Sequence, residues 1–186
     1  DVIGLPPARA GLVLVIGKIW DAVSDPLMGY LSDHTRTKYG RRRIYFLLGI
    51  IPITVSFISL WYPLDLASNN FLFLYYTFAY IFFSTVFTMV MVPYTALNAD
   101  MTDDFKIRTK LSTSRMLFSQ ISALLSGVLP KMIINFFAER ASTGSVIVNE
   151  QHGYLIMGII FGIFYSLPWL FVFLGTKELP ENFNEE

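Results

Sequence analysis

The sequence contains no cysteine, and only 15% of its 186 residues are charged. An ordinary soluble domain carries about 25%. Without cysteine there is neither a disulfide framework nor a thiolate metal site. Fourteen basic and fourteen acidic residues cancel, which excludes a basic nucleic-acid arm and an acidic disordered tail. What the chain has in excess is apolar material: 54% of residues are hydrophobic and the mean hydropathy is +0.52. A chain this size cannot enclose so much apolar surface in one core. Composition therefore points to a membrane protein and away from a soluble domain. The chain begins at Asp1 rather than Met and ends in an acidic tail, so it reads as a piece of a longer polypeptide.

A membrane-crossing helix needs roughly 20 mainly apolar residues at about 1.5 Å rise each. Residues 44–62, 71–97, 111–137 and 154–174 meet that requirement, the third of these with Arg115 and Lys131 near its ends. Residues 10–32 have the length but hold Lys18, Asp21 and Asp25. The pattern predicts an all-α bundle of five spans, with connections at 33–43, 63–70, 98–110 and 139–152. Arg36, Lys38, Arg41, Arg42, Arg43, Lys106, Arg108, Lys110 and Lys177 fall on one side; Arg9 and Arg140 fall on the other. The excess of basic residues puts the first set and the C-terminal tail in the cytoplasm and Asp1 outside a cell membrane.

The first span is where chemistry is expected. Asp21 and Asp25 are four residues apart and Lys18 is three before Asp21, so the three side chains share one helical stripe. Asp33 lies at the cytoplasmic edge, twelve residues after Asp21, which places Asp21 roughly 18 Å deep. One charge at that depth costs about 2.5–3.5 kcal/mol on insertion scales. Lys18 offsets one carboxylate and leaves the other to a cation or a proton. Pro26 cannot donate to the Ala22 carbonyl. With that carbonyl and the Ser24 hydroxyl, the two acids form an oxygen-rich, negative site suited to a hard cation or a shared proton. The plainer alternative is a structural Lys18–Asp21 salt bridge.

Other positions remain open between two readings. Thr88, in the third span, either supplies a hydroxyl to a neighbouring helix or bonds its own backbone. Arg115 either snorkels to the headgroups or faces inward towards an acid. Arg41, Arg42 and Arg43 form either a positive anchor or part of an organised loop with Gly29, Asp33 and Gly40. The Asp-x-x-x-Asp spacing is also that of intramembrane prenyltransferases, which hold Mg²⁺ and pyrophosphate. Those enzymes add a second acidic motif on another helix, whereas here the remaining acids, Asp100, Asp103 and Asp104, fall in an expected loop.

The run Trp20-Asp21-Ala-Val-Ser24-Asp25-Pro26-Leu-Met-Gly29-Tyr-Leu-Ser-Asp33, followed by Gly40-Arg41-Arg42-Arg43, resembles the second helix and following loop of the glycoside–pentoside–hexuronide:cation symporters of the major facilitator superfamily. Val92-Pro93-Tyr94-Thr95-Ala96-Leu97, with Arg108, Thr109 and Arg115, is similar to the fourth-to-fifth helix region. The resemblance implies that residues 1–186 are family helices two to six, with helix one and the C-terminal half missing. It implies a cation site at Asp21, Ser24, Asp25 and Thr88, coupled to Na⁺ or H⁺, with no other cofactor. Lys18, Met91, Thr95 and Arg115 would belong to the substrate and charge network. Gly29, Asp33, Gly40, Arg41 and Arg42 would form the gating loop. In melibiose-carrier-like members an amide, an acid, an aromatic and an arginine stand where this chain has Ser24, Met91, Thr95 and Lys18. The implied partners are a sugar or glycoside, the bilayer and the second half of the same polypeptide, and no nucleic acid. A lipid or lysophospholipid substrate is the rival within the family, and Met91 leans towards it.

Overall fold

The computed structural model describes residues 6–62, 64, 68–100, 104–140 and 146–176. These residues form α1 (Pro7–His34), α2 (Arg43–Trp61), α3 (Asn69–Asp100), α4 (Phe105–Arg140) and α5 (Val146–Gly175). No strand occurs among them. Lys177 and the tail, Pro63, Asp65, Asp103 and Asp1 lie outside the described residues.

Four of the helices are long and apolar enough to cross a membrane, over Arg43–Trp61, Asn69–Leu97, Phe105–Phe136 and Gly153–Gly175. Helix α1 is long enough at 28 residues, but Lys18, Asp21 and Asp25 sit in its middle third. Several helices outrun the expected spans. Helix α4 has 36 residues, about 54 Å at 1.5 Å per residue against a hydrocarbon layer of about 30 Å. The connection expected at 98–110 is accordingly short, and Lys106, Arg108 and Lys110 occupy the first turns of α4. The cause is local. The Asp104 carboxylate accepts from the Lys106 backbone N–H at 2.8 Å, satisfying a donor that a helix start leaves free. The connection expected at 139–152 shrinks in the same way, because α5 already begins at Val146.

In space the helices follow the order α1, α3, α2, α5, α4, each packed on the next. Alternation of direction makes α1 and α3 parallel and every other contact antiparallel. It also brings the α1–α2 connection, the start of α4 and the end of α5 to one end of the bundle, where most of the basic residues gather. There Arg43 donates to the Phe173 carbonyl at 2.5 Å and lies over the Phe173 ring, so a cation covers the carbonyl end of α5.

The core lies between α2, α3 and α5. Phe46, Ile53 and Val90 are fully buried there, with Trp169, Val86 and Leu97 around them. Phe46 stacks on Trp169, and Tyr94 meets Trp169 edge-on at 5.5 Å. Helices α2 and α3 come this close because position 49 is glycine: a Cβ there would overlap the side chain of buried Val90.

Candidate functional site

Helices α1 and α3 meet along a seam with a constant register. Gly17 faces Tyr80, Asp21 faces Ser84, Asp25 faces Thr88 and Gly29 faces Val92, each pair 63 residues apart in sequence. Parallel helices with a rung every four residues keep such a register, since four residues return close to the same face. A Cβ at Gly17 would overlap the Tyr80 ring, so the seam needs glycine on its first rung. At Gly29 a Cβ would make ordinary contact, 3.9 Å from Val92. The two polar rungs lie between these glycines.

Both carboxylates are held from α3. The Ser84 hydroxyl donates to Oδ1 of Asp21, and Lys18 Nζ donates to Oδ2 of the same residue at 3.0 Å. The Thr88 hydroxyl donates to Oδ1 of Asp25 at 2.8 Å. The Asp21 side chain is 20% exposed and that of Lys18 is 74% exposed, so the acid lies in the seam while the ammonium approaches from its rim. One lysine and two aspartates leave the stripe with a net single negative charge. Trp20 adds a further tie, its indole N–H donating to the Thr85 hydroxyl at 2.8 Å.

These bonds stand apart from the usual habit of helical hydroxyls. Ser32, Ser56, Ser166, Thr77 and Thr95 each donate to a carbonyl three or four residues back in their own helix, the ordinary outcome in a span. Ser84 and Thr88 cross to a carboxylate on α1 instead. A hydrogen bond to a charged acceptor contributes about 1.5–3 kcal/mol, against about 1 kcal/mol for a neutral pair, and that difference favours the crossing. Of the two readings open for Thr88, the structure shows the inter-helix bond.

The remaining residues are distributed differently. Ser24 is buried, and its hydroxyl donates to the Asp21 carbonyl at 3.5 Å rather than joining the carboxylates. Thr95 bonds the Val92 carbonyl, and Met91 packs on the apolar core. The Arg115 guanidinium lies over the Tyr94 ring, 5.3 Å from its centroid, and no carboxylate among the described residues pairs with it. It borders a cavity of about 390 Å³ between Tyr94 and Leu97 of α3, Leu111, Ser114 and Phe118 of α4, Val172 of α5 and Thr176 just after it. In the α1–α2 connection, Arg42 binds Asp33 at 2.7 Å and is itself 8% exposed. Gly40 has φ 111°, and Thr37 bonds across this turn to the Gly40 carbonyl. A non-glycine residue would be strained there. Asp33 in the last turn of α1, the Gly40 turn and Arg42 thus lie at the basic end of the bundle, about two helical turns beyond Asp25.

Ser84 and the Trp20–Thr85 bond had not been anticipated from the sequence. A signal was present: Ser84 precedes Thr88 by the same four residues that separate Asp21 from Asp25. Using it requires knowing that α1 and α3 run parallel in register.

The family described as MFS/sugar transport protein matches the chain over residues 1–186. Among curated proteins, the uncharacterized symporter sll1374 of Synechocystis is 41% identical over 134 residues, 69% of this chain and 25% of that protein. The isoprimeverose transporter of Lactiplantibacillus pentosus is 26% identical, covering 96% of this chain and 36% of that protein. The sodium-dependent lysophosphatidylcholine symporter 1 of mouse is 25% identical, covering all of this chain and 39% of that protein. The chain spans less than half the length of each of these relatives.

Proposed function

Because the chain belongs to the MFS/sugar transport protein family, we propose that it forms part of the N-terminal half of a cation-coupled symporter that carries a sugar or glycoside. It is a multi-pass membrane protein, and the symporter and transporter names of its relatives indicate a transporter rather than an enzyme. The observation that carries the cation site is the paired arrangement of Asp21 and Asp25, each held by an α3 hydroxyl and together exceeding their one lysine by a single negative charge. A monovalent cation or a proton between the two helices cancels that excess. Carboxylate and hydroxyl oxygens suit Na⁺, and a carboxylate alone suits H⁺. Ser24 contributes through its bond to the Asp21 carbonyl, steadying the turn that bears both acids.

The transport cycle follows from differential affinity. The cation stabilises the arrangement in which α1 and α3 are bridged, and that arrangement presents the substrate site formed with the partner half of the polypeptide. Rocking of the halves then exposes the midplane to the other side. A cation binding both arrangements equally would drive nothing. The Asp33–Arg42 pair and the Gly40 turn, with Arg41, form the gate at the cytoplasmic end, and Asp1 lies outside. Arg115, Lys18 and Thr95 border the substrate path, whereas Met91, which the resemblance also assigns to that network, packs on the apolar core.

In the full-length transporter, Asp25→Asn should abolish uptake driven by a Na⁺ or pH gradient while leaving membrane insertion intact. Gradient-driven uptake equal to wild type in that variant would remove the coupling role. A second substrate reading has its own support: the apolar Met91 stands where melibiose-carrier-like members have an acid, and relatives from mouse, zebrafish and chicken are named for lysophosphatidylcholine. Competition for uptake between isoprimeverose and lysophosphatidylcholine separates the two.

A further inference from the structure

The two acids of the stripe are not equivalent. Both oxygens of Asp21 are engaged, Oδ1 by Ser84 and Oδ2 by Lys18. Asp25 accepts at Oδ1 from Thr88, and among the described residues nothing engages its Oδ2. One carboxylate is fastened and its neighbour has a free oxygen. The fastening on the α3 side depends on a single side chain, Ser84, which is buried and forgoes the backbone bond that other helical serines make.

We propose that Ser84 is a positioning residue of the cation site, holding Asp21 across the α1–α3 seam so that its carboxylate faces the cation shared with Asp25. This inference rests on the cation-site reading given above. A serine hydroxyl has one proton and two lone pairs. With the proton directed to Asp21, the lone pairs remain available on the same oxygen. Ser84 therefore both orients the carboxylate and adds a neutral oxygen beside it. Without the hydroxyl, Lys18 at the exposed rim is the remaining partner of the Asp21 carboxylate among the described residues and draws it towards the rim, away from Asp25.

The test uses the purified full-length transporter with Na⁺ and protons as the probes. Tryptophan emission is followed during a Na⁺ titration at fixed pH and a pH titration without Na⁺. Trp20 adjoins Asp21 and is tied to α3 at Thr85, so it reports on the seam, and Trp20→Phe identifies its share of the signal. Ser84→Ala should shift the midpoint for the responsive cation by about tenfold or more, as loss of one hydrogen bond to a charged group implies. Ser84→Thr, which keeps the hydroxyl, should restore it. Ser56→Ala, the same truncation at a serine that bonds its own helix, should leave the midpoint in place. A Ser84→Ala midpoint within twofold of wild type, in a protein whose response vanishes in Asp25→Asn, overturns the role of Ser84 alone. So does an equal shift in Ser56→Ala, or a shift that Ser84→Thr fails to reverse. A wild-type protein that responds to neither cation, or a response that survives Asp25→Asn, overturns the cation-site reading and this inference with it.

Discussion

The seam between α2 and α5 is filled with rings and apolar side chains, and the seam between α1 and α3 with carboxylates, hydroxyls and a lysine. In the first, Phe57 stacks on Tyr165, Trp61 on Tyr154 and Phe46 on Trp169. In the second, Asp21 meets Ser84 and Asp25 meets Thr88. Ring packing carries no charge for a cation or proton to neutralise. The polar seam depends on what neutralises its extra negative charge. Three helices thus form an apolar frame, and α1 is attached to it by polar contacts that, on the proposed cation site, a bound cation would strengthen.

The largest effect should come from the apolar frame. Gly49→Leu places a branched side chain against buried Val90. Overpacking of that kind costs about 1–3 kcal/mol or more, and the folded protein should be lost from size-exclusion profiles of detergent extracts. Gly17→Leu should be milder, because the Tyr80 ring it displaces lies on the seam between α1 and α3. Wild-type recovery of Gly49→Leu would show that the frame is looser than its packing implies.

Next comes the polar seam. Thr88→Val keeps the shape of the side chain and deletes the donor to Asp25. Loss of that bond, about 1.5–3 kcal/mol, should raise the half-saturating cation concentration by tenfold or more and lower the unfolding temperature with it. A large drop in unfolding temperature with an unchanged cation midpoint would make Thr88 structural only.

A smaller change is expected at the basic end. Arg43→Gln removes the bond to the Phe173 carbonyl and the contact with its ring. The expected loss is about 1–2 kcal/mol, read as a lowered unfolding temperature with the cation midpoint unmoved. The smallest effect belongs to Ser56→Ala. This fully buried hydroxyl bonds only the Ile53 carbonyl of its own helix, and its removal should cost under about 1 kcal/mol. An effect as large as that of Thr88→Val would erase the distinction between hydroxyls that serve a helix and those that serve the site.

The same contrast explains what was legible before the fold was known. Long apolar runs mark α2, α3, α4 and α5, because hydropathy over roughly 20 residues carries the signal for a span. Helix α1 was legible for the opposite reason, since Lys18, Asp21 and Asp25 fell on one stripe of an otherwise apolar segment. Helix ends were less so: the Asp104 cap and the early start at Val146 are local backbone events that hydropathy does not register. Ser84 stayed hidden because its importance lies in register. A serine in a span looks the same whether it bonds its own carbonyl or a carboxylate on another helix, and only the parallel pairing of α1 with α3 distinguishes them. Arg115 is a similar case, since the Tyr94 ring beneath it is neither a headgroup nor an acid and becomes visible only from the folded arrangement of α3 and α4.

Cation binding itself is the property on which the role of the α1 stripe depends. Calorimetric Na⁺ titration and potentiometric proton uptake, run on purified full-length wild type and on the Asp21→Asn/Asp25→Asn variant, measure it without any transported substrate. Wild type should bind one of the two cations, and the variant, folded and monodisperse, should bind neither. A folded variant that still binds with wild-type affinity would mean that the charge on α1 serves some other purpose.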